Sequence, residues 1–401
     1  IIVLLILAGV TIAALSGDNG ILQRASEARE ETEQVNAEEQ IKLAITASIG
    51  EDAKINIEDL NDNLGNIEGL THEGEVIEDN PIESLPATVV VNGYNIIIKE
   101  DGSTVITKWT QLGNELTNGE VTLKIGDVLL NYEEGMQNLE IQTAESGHDT
   151  LQNLSTENLG WRIFGIGENG GIELISDNPT TATVTLAGET GYLNGEKLLN
   201  EACNKLYGKG EYAQSARSLE VEDINKLAYN YDQNTFDGYG DLWKYRFSTE
   251  KGCMQYKSLT DEGQGWSDWK DVVEASCQTF KMPGSTETIG VDNPIESEEM
   301  RNTTYTYLIS SQIDTDIADL LTKGTGDENL AQWLANQRND SNAKHGVFGI
   351  RRINNGYVTY NSLYFSCGET LVKNCSIRPI VTLETDIQLE GNSESGWTIK
   401  N

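Results

Sequence analysis

The cysteines and histidines are the side chains of this sequence whose chemistry depends most on spacing. There are three histidines and five cysteines, Cys203, Cys253, Cys277, Cys367 and Cys375. No two cysteines form a CxxC pair, so the sequence does not predict a zinc site. If the chain is exported, Cys367 with Cys375 and Cys253 with Cys277 are candidate disulfides, which leaves Cys203 unpaired or paired differently. The alternative is that the cysteines are buried, reduced thiols.

Residues 165–170, Gly-Ile-Gly-Glu-Asn-Gly, satisfy the GxGxxG spacing of dinucleotide-binding loops. In such a loop the glycines follow a strand and open a helix. Here they are followed by Ile172–Ile175, which is typical of a second strand. The spacing therefore predicts a hairpin turn and no nucleotide cofactor.

A second motif approaches the spacing of a calcium loop. Asp232, Asn234 and Asp237 offer oxygen ligands, but Phe236 stands where an EF-hand loop needs a third ligand. We therefore expect no cofactor, and calcium at this acidic loop is the alternative.

The sequence shows no set of nucleophile, base and orienting group, so we expect no enzymatic activity. His72, His148 and His345 are isolated, as surface or turn histidines usually are. Several tryptophans could form a sugar-binding platform, although we expect at least three of them in the core. These are Trp161, Trp243, Trp266, Trp269 and Trp333.

Length and composition limit the class of protein. A chain of 401 residues allows two or three domains, and a hydrophobic content of 38% is enough for real cores. The formal net charge of −36 excludes nucleic acid and anionic lipid headgroups as partners of the soluble part.

The elements that must position these residues begin with an apolar stretch, Ile1–Leu15, which contains no charged residue. As a helix it would be about 22 Å long, shorter than a bilayer core of roughly 30 Å. A break is predicted at Gly17, Asp18, Asn19 and Gly20. Helical spacing then resumes as far as residue 50, with Ile41, Ala44 and Ile45 on one face. The side chains expected to pack in a helix bundle are Ile1, Ile2, Leu4, Leu5, Leu7, Ala8, Ile12 and Leu15.

The rest of the chain predicts an α+β protein with long loops rather than an alternating βα pattern. A β-meander is expected over Val89–Val91, Tyr94–Ile98 and Thr104–Trp109, with Asn92-Gly93 as its first turn. Residues 111–120 are a polar linker, and residues 231–300 are expected to be loops. The predicted helices are Leu193–Tyr207, Val221–Tyr229, Ile313–Leu321 and Glu328–Asn336. Domains are therefore expected at 1–50, 51–110 and 120–401.

The apolar half, break and amphipathic half of the first helix, followed by a β-rich head, resemble a type IV pilin-like subunit. The stretch LAGVTIAALSGDNGIL also resembles the N-termini of bacterial pilin-like surface proteins. The resemblance implies a long N-terminal α-helix with an antiparallel β head. It also implies assembly into a helical filament through the first helix, with membrane insertion and the pilus assembly machinery as earlier partners.

From residue 120 onward, the pieces LGWRIFGIGENGGIELISD, GYLNGEKLLNEACNKLYG and SIRPIVTL resemble a bacterial surface domain related to C-type-lectin-like folds. That resemblance implies an α+β ligand-display domain with its binding surface between Ala335 and Cys375. The hairpin around Asn354-Asn355-Gly356 lies in this segment. The candidate recognition residues are Asn354, Tyr357, Tyr360 and Tyr364.

Two functions are compatible with these patterns. The first is an extracellular, cell-surface filament subunit that displays a large outer domain for adhesion to an unknown surface ligand. The alternative is a membrane-anchored, monomeric adhesin or ligand-binding protein with the same outer domain. Sequence does not separate them, because both hide the same apolar surface from water.

Overall fold

The computed structural model describes residues 35–50, 54–72, 74–91, 94–142, 151–228, 241–259, 265–296, 299–303, 306–325, 331–385 and 387–400. The chain divides into two compact units. Unit 1 comprises the described residues up to Leu112 together with Leu116–Thr122 and Ile166–Ile172. Unit 2 comprises Gly113–Glu115, Leu123–Gly165 and the chain from Glu173 onward.

Unit 1 packs two helices against one sheet. The helices are α1 (35–47) and α2 (Ile57–Gly65). The strands are β1 (Thr71–His72), β2 (Glu75–Val76), β3 (Ala87–Val91), β4 (Tyr94–Ile98) and β5 (Thr104–Thr107). They form an antiparallel sheet in the order β2-β1-β3-β4-β5, so the predicted meander is confirmed over β3, β4 and β5. A separate three-stranded sheet contains β6 (Thr110–Leu112), β7 (Glu115–Thr117) and β8 (Thr122–Lys124).

The core of unit 1 follows from the helical spacing of apolar residues on α1 and from their alternation along the strands. Ile41, Ala44 and Ile45 recur at helical spacing on α1 and are all buried. They pack with Leu60 and Leu64 of α2, whose first turn is capped by the Asn56 side chain. The sheet contributes its inward-facing residues: Val89, Val91, Ile96 and Ile98. The amphipathic part of the sequence therefore packs as its pattern predicts within the described residues.

Unit 2 contains the remaining elements. Its helices are α3 (Gly188–Tyr207), α4 (Val221–Asn225) and α5 (Thr315–Thr322). Its strands are β9 (Val128–Leu129), β10 (Asn138–Gln142), β11 (Leu151–Ser155), β12 (Trp161–Ile166), β13 (Ile172–Ser176), β14 (Thr183–Ala187), β15 (Ala213–Ser218), β16 (Leu242–Ser248), β17 (Cys253–Ser258), β18 (Lys270–Asp271), β19 (Met300–Arg301), β20 (Tyr307–Leu308), β21 (Gln332–Ser341), β22 (Gly346–Asn354), β23 (Tyr357–Phe365), β24 (Val372–Ser376), β25 (Pro379–Leu383), β26 (Leu389–Asn392) and β27 (Gly396–Ile399).

Most of these strands belong to three sheets. A seven-stranded sheet has the order β15-β25-β13-β12-β9-β27-β26, and a six-stranded sheet has the order β14-β24-β21-β22-β23-β20. Helix α3 contacts β15 of the first sheet and β21 of the second. A four-stranded sheet, β18-β17-β16-β19, carries the candidate site described below, and β10 pairs with β11.

Two local predictions in unit 2 are wrong because strand pairing overrides the local pattern. The segment predicted as a helix over Glu328–Asn336 enters β21, which pairs with β22. The segment 231–300, predicted as loops, contains β16 and β17, which pair over their whole length. Both segments form hairpins whose ladder hydrogen bonds stabilise the extended chain, although their residues do not follow a pattern that was recognised as strand.

The pilin-like and C-type-lectin-like architecture predicted from the sequence is also wrong. Strands hold 41% of the described residues and helices 18%. Within the described residues no long N-terminal helix occurs: the described part of α1 is 35–47, and the chain turns at Ser48. The protein is β-rich, with several sheets. Residues 1–34, with the predicted bundle residues and the break at Gly17–Gly20, lie outside the described part of the chain.

Candidate functional site

The four-stranded sheet of unit 2 has two chemically different faces. Along β16, Tyr245 and Phe247 alternate with Lys244 and Arg246, as the two-residue period of a strand requires. The tyrosine and phenylalanine are buried in an aromatic core, where Tyr245 stacks on Phe280 with ring centroids 4.3 Å apart. The cations point to the other face, which is only half-buried.

Two tryptophans cover the cations on that face. The Lys257 ammonium lies 5.4 Å from the ring centroid of Trp266 and 4.4 Å from that of Trp269. Lys244 also lies over Trp266, at 5.0 Å, and the guanidinium carbon of Arg246 lies 4.2 Å from the centroid of Trp269. These are cation–π distances. We call Lys244, Arg246, Lys257, Trp266 and Trp269 the Trp–Lys face.

The tryptophans are held by backbone pairing beyond the end of β17. Trp266 forms a bridge with Leu259, and the Ser267 N–H donates to the Ser258 carbonyl at 2.8 Å. Strand β18 then follows directly, with Asp271 opposite Gln255. Trp269 is therefore fixed beside Lys257, although 12 residues of sequence separate them.

The charges of the Trp–Lys face are only partly neutralised. Lys244 and Lys257 lie directly opposite each other in the ladder, an arrangement that repels unless anions are near. Glu299 pairs with Lys244 at 3.4 Å and Glu296 with Lys257 at 3.8 Å. Arg246 donates to the neutral side chain of Gln255. Among these groups three cations face two carboxylates, so one cation, Arg246, has a neutral partner within this set.

The predicted recognition residues lie on β22 and β23, an interior pair of the six-stranded sheet. Tyr357 is exposed at 44%, and Asn354 is half-buried beside the hairpin turn. The ring of Tyr360 lies 3.2 Å from the guanidinium carbon of buried Arg338. Tyr364 is buried in the aromatic core, so its predicted place on a surface is wrong. The four side chains do not form one exposed patch.

The five tryptophans proposed as a sugar-binding platform fall into two groups that differ in burial. Trp161 and Trp333 are buried, and Trp243 packs against the aromatic core. Trp266 and Trp269 remain half-exposed and form the Trp–Lys face. Lys244 and Arg246 were missed, because their alternation with aromatic residues along β16 was assigned to a loop, and Lys257 on β17 was missed for the same reason.

The cysteines do not form the predicted disulfides, since all five are free thiols. Cys203 and Cys375 are buried, and burial raises the pKa of each to about 12. Cys253 is half-buried at the start of β17. The sulfurs of Cys277 and Cys367, each predicted to bond elsewhere, lie close together beside His345.

The thiol–imidazole cluster, Cys277, His345 and Cys367, has its ligand atoms all within 4.8 Å of one another. His345 Nδ1 lies 3.4 Å from the Cys277 sulfur and 3.9 Å from the Cys367 sulfur. Burial lowers the pKa of His345, and burial followed by the neighbouring Cys277 raises the pKa of Cys367 to about 11. The expectation that His345 is isolated is therefore wrong. No spacing signal revealed the cluster, because its members come from three distant turns.

Two other predictions fall outside what the structure describes. Residues 229–240, with the calcium-loop candidates Asp232, Asn234 and Asp237, are not among the described residues, and neither is His148. The GxGxxG segment is described and forms the predicted hairpin turn between β12 and β13. Its Gly170 N–H donates to the Gly167 carbonyl at 2.8 Å.

Within the described part of the chain, no helix has both the length and the apolar character to span a membrane. Comparisons with protein-family models, with curated proteins and with solved structures found no match.

Proposed function

We propose that this chain is a binding protein whose ligand is a glycan that carries an acidic sugar, recognised by the Trp–Lys face. The proposal rests on one observation: three cations lie against two half-exposed indoles on one face of a sheet. Indoles provide flat apolar surface for the C–H face of a sugar ring. Lysine and arginine provide donors for a carboxylate.

The net charge of the whole chain limits the class of ligand. A net charge of −36 repels an extended polyanion, while one carboxylate placed beside the cations of the Trp–Lys face avoids most of that repulsion. We therefore favour isolated uronic or sialic acid residues on an otherwise neutral glycan. Lys257 is the central group, because its side chain is only 16% exposed and lies over both indoles.

The adhesion role expected from the sequence is kept in this form, with its surface moved from the 354–375 hairpin to the Trp–Lys face. A cell-surface location remains part of the proposal. The filament role is not carried forward. It depended on residues 1–20, which lie outside the described part of the chain, and on an architecture that the structure corrects.

The test compares acidic glycans with their neutral counterparts, for example cellobiouronic acid with cellobiose, within a panel of uronic and sialic acid oligosaccharides. We expect acidic members to bind at least about tenfold more tightly than neutral ones, with affinity falling as salt rises. Trp269→Ala and Lys257→Met should each abolish most of the binding. Lys270→Met removes one positive charge from an exposed position on β18 of the same sheet and should leave binding unchanged. The proposal fails if no acidic glycan binds, or if Lys270→Met weakens binding as much as Lys257→Met.

A further inference from the structure

We infer that the thiol–imidazole cluster is a binding site for a zinc ion, with Cys277, His345 and Cys367 as its protein ligands. This site is independent of the Trp–Lys face, which lies on the opposite side of the four-stranded sheet. The argument rests on donor type, spacing and the rigidity of the three turns that carry the donors.

The spacing fits tetrahedral zinc. With zinc–sulfur bonds of about 2.3 Å and zinc–nitrogen bonds of about 2.0 Å, tetrahedral ligands lie about 3.5 Å apart for sulfur and nitrogen. The two sulfur–nitrogen distances in the structure are 3.4 and 3.9 Å. Thiolate and imidazole donors together favour zinc over calcium or magnesium, which prefer oxygen.

Each donor is fixed by its own turn. Cys277 closes a turn in which its N–H donates to the Glu274 carbonyl at 3.0 Å. His345 ends the β21–β22 turn, where the Asn342 side chain accepts from the His345 N–H. Its ring packs edge-on against Phe365 at 5.0 Å.

The third donor lies in a turn linked to the second. Cys367 is in the turn after β23, closed by a hydrogen bond from the Gly368 N–H to the Phe365 carbonyl. The Gly346 N–H, next to His345, donates to the Ser366 hydroxyl at 2.8 Å, and the Ser366 N–H donates back to the Gly346 carbonyl at 2.9 Å. Histidine and cysteine are thus held at a fixed separation before any ion binds, which lowers the ordering cost of binding.

Zinc binds the deprotonated thiol and the neutral imidazole, so the ion must displace the two thiol protons. Glu274, Glu369, Asp340 and Lys344 are the charged groups that act on this ring. Binding of Zn²⁺ to two thiols and one neutral imidazole forms two zinc–sulfur bonds and one zinc–nitrogen bond, and releases two protons to solvent. The described residues supply three ligands, so the fourth position is open to water.

The experiment uses the full chain, reduced and freed of metal with a chelator, and titrates it with Co²⁺ and then Zn²⁺. We expect one Co²⁺ per chain with a cobalt–thiolate absorption band, displacement by Zn²⁺, and release of two protons per ion. Cys367→Ser should weaken zinc binding at least about 100-fold. Cys253→Ser, which removes a half-buried thiol outside the cluster, should have no effect.

Cys277 is buried, so Cys277→Ser would also disturb folding. The decisive variants are therefore Cys367→Ser, at a half-buried position, and His345→Asn. Far-ultraviolet circular dichroism of Cys367→Ser should match that of the unmodified chain. The inference is overturned if the reduced chain binds no Co²⁺ or Zn²⁺. It is also overturned if Cys367→Ser and Cys253→Ser bind zinc equally, or if the two sulfurs form a disulfide and the reduced chain then binds no ion.

Discussion

Unit 1 and unit 2 bury different kinds of side chain. The core of unit 1 is aliphatic and includes Ile41, Leu60 and Ile96, and it contains no buried charged residue within the described part of that unit. Unit 2 buries charged groups, among them Glu173, Arg338 and Arg378, beside its apolar core. An aliphatic core depends on area and shape, whereas buried charges depend on particular partners. The two units should therefore respond differently to mutation and pH.

The buried charges of unit 2 are paired in two ways. Arg217 donates to both carboxylate oxygens of Glu173 at 3.0 and 3.2 Å, and to Asp223 at 2.6 Å. Arg378 instead donates to the backbone carbonyls of three residues: Ser176, Asp177 and Leu321. That side chain is fully buried and connects β13 and α5 through their carbonyl groups. Removing it would leave buried acceptors without donors.

The largest effect is expected from Arg378→Met in unit 2. The loss of four hydrogen bonds to buried carbonyls should lower the free energy of unfolding of unit 2 by about 3–5 kcal/mol. Lys197→Met removes an exposed cation from α3 and should change it by less than about 0.5 kcal/mol. Denaturant unfolding, with hydrogen exchange to assign each transition, measures both. A loss below about 1 kcal/mol for Arg378→Met would contradict the comparison between the units.

The next effect is expected in unit 1. Ile41→Ala leaves a cavity between α1 and the sheet and should lower the free energy of unfolding of unit 1 by about 2–4 kcal/mol. Leu43→Ala is the matched control, because Leu43 lies on the same helix at 64% exposure. The same exchange measurement should show the Ile41→Ala effect at acidic and neutral pH alike. A strong pH dependence would mean that unit 1 also relies on buried charge.

The smallest effect is a pH dependence in unit 2. Burial, followed by the nearby Asp223 carboxylate, raises the pKa of Glu220 from 4.5 to about 7. The folded state thus holds a proton that the unfolded state has lost in this window, so stability falls as pH rises from 4.5 to about 7. The expected change is on the order of 1 kcal/mol after allowance for partial exposure of the group.

Glu220→Gln keeps an acceptor for the Asn200 side chain and should reduce this slope in the unfolding of unit 2. Glu201→Gln, at an exposed position on α3, should retain the slope. Urea unfolding at several pH values between 4.5 and 8 measures the difference. An equal slope in unmodified and Glu220→Gln chains would show that another group sets the pH dependence.

The sequence predicted more of unit 1 than of unit 2. The helical spacing of Ile41, Ala44 and Ile45 and the meander after residue 87 were read correctly, because each pattern repeats over neighbouring residues. The hairpin at residues 165–170 was also read correctly from its glycines. In unit 2 the same method placed a helix over the start of β21 and loops over β16 and β17, where hairpin pairing overrides the local pattern.

The periodic parts of this protein follow from local sequence patterns: the buried face of α1, the strands of the meander and the tight turns at glycine and asparagine. Local dihedral preference and side-chain period contain that information. Which cysteines, histidines, lysines and tryptophans lie together depends on the folded chain. Cys277, His345 and Cys367 lie in three turns far apart in sequence, and Lys257 meets Trp269 only through the pairing of β17 with the segment that precedes β18. These side-chain contacts depend on strand register and on the path of the loops, which no local pattern encodes.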